Sequence, residues 1–247
     1  MSSEYIIQVL VLSALSGAAT ILGVIIGIRV NHKSGIVFGA SFAAGIMILI
    51  SLCELMPASF REGMHWVTVA GVAAGAAVLW VASAVLPHFH TAQEIESAGP
   101  KRLMTMAYLL AIGLILHDFP EGFAIPSSFH FSDSLGFIVV IATFIHNIPE
   151  GYILSVAGSV NGRRNMSYYS AFFSALSTLA GAIFGLLLLD RFHALNQFFL
   201  AVAAGAMLFI ACHELIPYVK HIGRGKKMSF LGFGASSAVY LLLLLIF

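Results

Sequence analysis

The sequence predicts an all-α integral membrane protein. Eight transmembrane helices are expected, in an inverted 3+2+3 repeat: spans 1–3 and spans 6–8 are related, and spans 4 and 5 form the central pair. Three observations predict this. The 247-residue chain is 60% hydrophobic and 9% charged, with mean hydropathy +0.97, whereas a soluble domain carries about 25% charged residues. Apolar runs of about 20 residues, the length that crosses a bilayer, recur along the chain. A segment near the start also returns at a fixed offset near the end. Ala43-Ala44-Gly45-Ile46-Met47 matches Ala203-Ala204-Gly205-Ala206-Met207, and Glu54-Leu55-Met56-Pro57 matches Glu214-Leu215-Ile216-Pro217, all 160 positions apart.

The spans fall at roughly 5–29, 36–58, 66–86, 103–125, 134–158, 166–189, 195–218 and 228–247, with edges uncertain by a few residues. They make one transmembrane domain, residues 1–247, and leave no room for a sizeable soluble one. Backbone groups in lipid must be satisfied internally, so the spans are helices. Small-residue runs such as Gly71-Val72-Ala73-Ala74-Gly75-Ala76-Ala77 let helices approach closely. The repeated segments lie on spans 2 and 7, one of even and one of odd rank, so they cross in opposite directions. Opposed repeats are a mark of transporters built from inverted halves.

Loop charge sets the orientation. Arg29, Lys33, Lys101, Arg102, Arg163, Arg164, Lys220, Arg224, Lys226 and Lys227 fall on one side, and Arg61 and Arg191 on the other. The basic side is cytoplasmic, which puts both termini outside. Met1-Ser2-Ser3-Glu4 has no basic stretch ahead of the first apolar run, so that run is expected to stay as a span. The loop from Pro87 to Arg102, bearing His88, His90, Glu94 and Glu96, is expected to be cytoplasmic and mobile. A net charge of +1 gives no reason to expect a nucleic-acid partner, and Cys53 and Cys212, both in apolar runs, are not expected to form a disulfide.

The chemistry sits in the central pair. Ile115-Leu116-His117-Asp118-Phe119-Pro120-Glu121-Gly122 returns 29 positions later as Phe144-Ile145-His146-Asn147-Ile148-Pro149-Glu150-Gly151. Each His and Glu are four apart, about one helical turn, on one face. An acidic residue at mid-bilayer costs about 2.5–3.5 kcal/mol even on the lenient insertion scale. Asp118, Glu121 and Glu150 therefore call for compensating cations. Pro120 and Pro149 have no N–H for the carbonyls of Leu116 and Ile145, so each helix is expected to kink there and free a carbonyl. Imidazole with carboxylate suits zinc and related first-row ions better than calcium or magnesium. A single His–Glu pair reads equally well as a structural hydrogen bond or a proton relay. Two copies with Pro and Gly in register favour a metal site, with ligands for one ion or two.

At these residues the chain resembles the ZIP family of divalent metal transporters, and most of all its prokaryotic zinc-uptake members. The likeness covers nearly the whole chain: eight spans, a His-bearing loop between spans 3 and 4, outward termini and the paired H-x-x-P-E-G motifs. It implies that His117, Asp118, Glu121, His146, Asn147 and Glu150 line the central site. It also implies a homodimer in the plasma (cell inner) membrane, with a moving bundle that takes Zn²⁺, and also Cd²⁺, Fe²⁺, Mn²⁺ or Co²⁺, into the cytoplasm. No cofactor beyond the transported metal is expected. Two departures stand out. The first motif commonly reads H-N in the family and here reads His117-Asp118. Many members carry a Glu on span 6 that bridges two metals, where Ser174-Ala175-Leu176-Ser177-Thr178-Leu179 has no carboxylate. Asp118 is then expected to supply the charge that span 6 lacks.

Weaker candidates flank the centre. The family resemblance implies that Met47 can approach the metal, although a methionine in an apolar helix is ordinarily packing, as Met207 is expected to be. His213 and Glu214 near the inner end of span 7 mark an exit or, equally well, sit at the water boundary, and the same two readings hold for His88 and His90 as collectors of metal beyond it. Glu54 near the outer end of span 2 marks the entrance, or simply the water boundary. The rival function is a membrane-embedded, metal-dependent hydrolase. No H-E-x-x-H is present and no nucleophile adjoins the motifs, so an enzyme is not expected. The near absence of a cytoplasmic domain speaks against a sensor.

Overall fold

The computed structural model describes residues 2–30, 33–61, 63–85, 100–160, 164–192, 195–221 and 226–247. The described residues form eight helical rods and no strand. They are α1 (Ser3–Val30), α2 (Lys33–Ile50, Ser51–Leu55 and Met56–Arg61), α3 (His65–Val85), α4 (Pro100–Phe131), α5 (Asp133–Val160), α6 (Arg164–Arg191), α7 (Asn196–Phe209, Ile210–Leu215 and Ile216–His221) and α8 (Lys226–Ile246). All but α4 are long and apolar enough, over their described residues, to cross a membrane. α4 has 32 residues, ample length for a crossing, and carries the first motif. The protein is a multi-pass membrane protein. The helix α4 runs past the expected edge near residue 125 as far as Phe131.

The interruptions fall at unexpected prolines. α4 and α5 continue as helix through Pro120, Pro126 and Pro149. The helix widens in α2 and α7, to a π-helical turn at Ser51–Leu55 and at Ile210–Leu215. The Met56 N–H bonds the Ser51 carbonyl and the Ile216 N–H bonds the Ala211 carbonyl, each reaching back five residues. Pro57 and Pro217 follow directly. A proline ring clashes with the carbonyl four residues back, and the wider turn relieves that clash. The two turns sit on the E-L-x-P repeat, so the sequence echo is also a structural one.

Packing pairs the rods in a matched way. α1 lies along α5, and α6 along α4; α2 lies along α8, and α7 along α3; α2 also meets α5, and α7 meets α4. Exchanging α1 with α6, α2 with α7, α3 with α8 and α4 with α5 converts each of these pairs into its partner. The pairs α1–α6 and α4–α5 are also in contact and map onto themselves. Close approach is built at Gly122 and Gly151. A Cβ on Gly122 would strike the Thr178 carbonyl oxygen of α6, and one on Gly151 the Thr20 carbonyl oxygen of α1. Only glycine lets these backbones touch. The centre of the bundle is thereby drawn tight around the two motifs.

Candidate metal centre

The two motifs meet head to tail. His and Glu are one turn apart on each helix, and α4 and α5 run antiparallel around the turn at residue 132. The histidine of each therefore faces the glutamate of the other. His117 Nε2 is 3.2 Å from Glu150 Oε2, and His146 Nε2 is 3.0 Å from Glu121 Oε2. All four side chains are buried, with relative exposure between 0% and 3%. Asp118 and Asn147 face outward from this quartet to α6 and α1. The Ser174 hydroxyl donates to Asp118 Oδ2, and Asp118 Oδ1 lies 3.5 Å from His117 Nε2. Asn147 Nδ2 donates to the Ser16 carbonyl at 2.9 Å. Ser174 Oγ is also 3.4 Å from Thr20 Oγ1.

Each of the six residues keeps one buried polar atom without a hydrogen-bond partner. They are His117 Nδ1, Asp118 Oδ1, Glu121 Oε1, His146 Nδ1, Asn147 Oδ1 and Glu150 Oε1. A buried polar atom left unpaired costs about 1–3 kcal/mol, and more if charged. A bound ligand is one way to satisfy such atoms. Ligand atoms of His117, Glu121 and Glu150 all lie within 4.8 Å of one another. Tetrahedral ligands about 2.1 Å from a zinc ion are roughly 3.4 Å apart, so this trio could hold one ion by drawing in by up to about 1.4 Å. The donor set of imidazole and carboxylate fits zinc. The three carboxyls of Asp118, Glu121 and Glu150, held in a buried site, give a divalent cation the countercharge it needs in a medium of low dielectric.

The profile of the family described as ZIP zinc transporter matches residues 85–245, which include both motifs. The chain belongs to the ZIP zinc transporter family. It is 35% identical over 233 residues to the zinc transporter ZupT of Escherichia coli O7:K1 (strain IAI39 / ExPEC), covering 90% of each chain. It is 36% identical to zinc transporter ZupT of Enterobacter sp. (strain 638) over the same share, and 34% identical over 231 residues to that of Shigella dysenteriae serotype 1 (strain Sd197), with 90% of each chain covered.

The other candidates among the described residues of this ZIP transporter lie on α2 and α7. Met47 is fully buried in an apolar cluster with Ala43, Ala44, Leu79, Ala206, Ile210, Ala211 and Leu215. Met207 packs in the main core with Phe123 and Ala124. His213 is exposed on the π turn of α7, its ring stacked on Phe209 with centroids 4.6 Å apart. Glu214 follows it on the same turn. Glu54 accepts a 2.7 Å hydrogen bond from the Tyr240 hydroxyl of α8. The loop with His88 and His90 lies outside the described residues.

Ser16 and Thr20 were not singled out from the sequence, and Ser174 and Thr178 only as part of a span 6 stretch without a carboxylate, yet a signal for all four exists. Ser16, Thr20, Gly23 and Gly27 of α1 recur as Ser174, Thr178, Gly181 and Gly185 of α6, each 158 positions on. This S-x-x-x-T-x-x-G-x-x-x-G echo places the same small and hydroxyl residues against α5 and α4.

Proposed function

We propose that this chain carries Zn²⁺ across the bacterial inner membrane into the cytoplasm, with the ion bound between α4 and α5. Membership in a transporter family makes it a transporter, not an enzyme. The six unpartnered buried polar atoms around the crossed His–Glu pairs carry the reading of the site. Relatives that share 90% of the chain and are named zinc transporters support the cargo. The ligand set proposed is His117, Glu121, His146 and Glu150, with Asp118 and Asn147 beside them and Met47 adjoining. The same donors accept Cd²⁺, Fe²⁺, Mn²⁺ and Co²⁺. Metal enters from the outer face, where the termini lie, and leaves past His213 and Glu214 towards the loop of His88 and His90. One transmembrane domain does this work, in an inverted 3+2+3 frame and as a homodimer. The exchange of helix pairs and the twin π turns support the inverted frame.

Uptake of radioactive zinc into proteoliposomes tests the function. Net accumulation in the wild type, reduced at least about tenfold by Glu121→Ala and by Glu150→Ala, is the expected result, since losing a ligand costs no less than losing a partner behind one. Zinc binding without flux in the wild type would refute transport.

A further inference from the structure

Beyond the quartet and its two neighbours, the described residues hold a second set of buried polar atoms without partners: Ser51 Oγ, Ser127 Oγ, Thr143 Oγ1 and both amide atoms of Asn196. They share one end of the bundle. Ser51 lies on the π turn near the Arg61 end of α2, Ser127 near the Phe131 end of α4, Thr143 in the half of α5 that follows Asp133, and Asn196 opens α7. A helical hydroxyl ordinarily bonds the carbonyl one turn back. Ser13, Ser128 and Thr178 do so, to Val9, Ala124 and Ser174 at 2.8, 2.8 and 3.3 Å. Thr143 does not, although it is fully buried. It precedes His146, Asn147 and Glu150 by three, four and seven residues, which is one helical face. Its hydroxyl is thus about one turn from the quartet and bonds no carbonyl of its own helix.

The other half of the bundle has no match. The motif offset of 29 pairs Thr143 with Leu114 and Ser127 with Val156, and the offset of 160 pairs Ser51 with Ala211. Where one half offers hydroxyls, the sequence of the other offers aliphatic side chains. The polarity is therefore not a by-product of the repeat.

We propose that Thr143 is a selectivity residue, a neutral oxygen offered to the cation or to water it retains on the α4–α5 turn side of the quartet, with Ser51 and Ser127 as further oxygens on that approach. This rests on the transport reading above. Neutral oxygen is a hard donor, suited to Mn²⁺ more than to Cd²⁺. The hydroxyl widens the range of ions that the His–Glu quartet accepts.

The test measures Mn²⁺ and Cd²⁺ fluxes into proteoliposomes, with affinities of both ions for the detergent-purified protein measured in parallel. Thr143→Val keeps the shape and removes the hydroxyl. It is expected to lower the Mn²⁺:Cd²⁺ ratio by about three- to ten-fold, the range for one lost hydrogen-bonding oxygen. Thr143→Ser restores the wild-type ratio, and Thr143→Ala reports the same loss if the valine variant does not fold. Ratios unchanged in Thr143→Val or Thr143→Ala, or lowered equally in Thr143→Ser, would overturn the proposal. Absence of flux in the wild type would instead count against transport, and the affinity ratio would still decide the role of Thr143.

Discussion

Asp118 breaks the sameness of the two motifs, and its neighbour explains how. Its counterpart Asn147 has an amide and donates to the Ser16 carbonyl. A carboxylate cannot donate, so Asp118 needs a donor from α6 and takes the Ser174 hydroxyl. Serine occupies the same repeat position in both helices but serves through its carbonyl in α1 and its hydroxyl in α6. An asparagine at 118 can still accept from Ser174. We therefore predict that Asp118→Asn leaves the thermal midpoint unchanged and weakens zinc binding by at least about tenfold, as loss of charge beside a ligand does. Calorimetry on the purified variant measures both; unchanged affinity would remove Asp118 from the account. The chemistry of this residue was legible in the sequence because charge inside an apolar run has few uses. The hydrogen bond to its partner was not, because Ser174, 56 positions away, was named only within a span 6 stretch that lacks a carboxylate.

Elements show the same division. The helices were legible from hydropathy and length, and the repeat in α2 and α7 from its fixed offset. The π turns were not, since proline alone does not say whether a helix kinks, widens or runs on. Pro120 and Pro149 drew attention as kink sites and lie inside helices that continue past them, while Pro57 and Pro217 follow the widened turns. Neighbouring helices approach closely at Gly122 and Gly151. There a Cβ would meet backbone, which cannot yield as a side chain does. We predict that Gly122→Ala or Gly151→Ala destabilises the protein by about 1–3 kcal/mol, the usual cost of overpacking. Gly113→Ala, whose Cβ meets nothing within 4 Å, should instead be neutral or slightly stabilising. Thermal midpoints in detergent separate the cases, and equal losses at all three positions would contradict the packing described.

At the scale of the whole molecule, paired halves frame one buried polar centre. The sidedness of that frame rests on loop charge, so we predict that in a cysteine-free background Arg61→Cys reacts with a membrane-impermeant thiol reagent added to intact cells and Lys226→Cys does not. The reverse pattern would invert the assigned topology. Acid should also oppose the cargo, because imidazole and carboxylate bind metal only when deprotonated. The apparent KM for zinc is expected to rise as external pH falls from about 7.5 to about 5.5, the range over which protons begin to compete for such ligands; a KM that falls would contradict competition at the site. The central claim is that the ion sits within the crossed His–Glu pairs. The most direct measurement is anomalous scattering at the zinc edge from crystals of the zinc-loaded protein. We predict a peak between α4 and α5 at about 2.0–2.2 Å from ligand atoms of His117, Glu121 and Glu150. Zinc bound elsewhere in the bundle, with these side chains still paired only to each other, would contradict it.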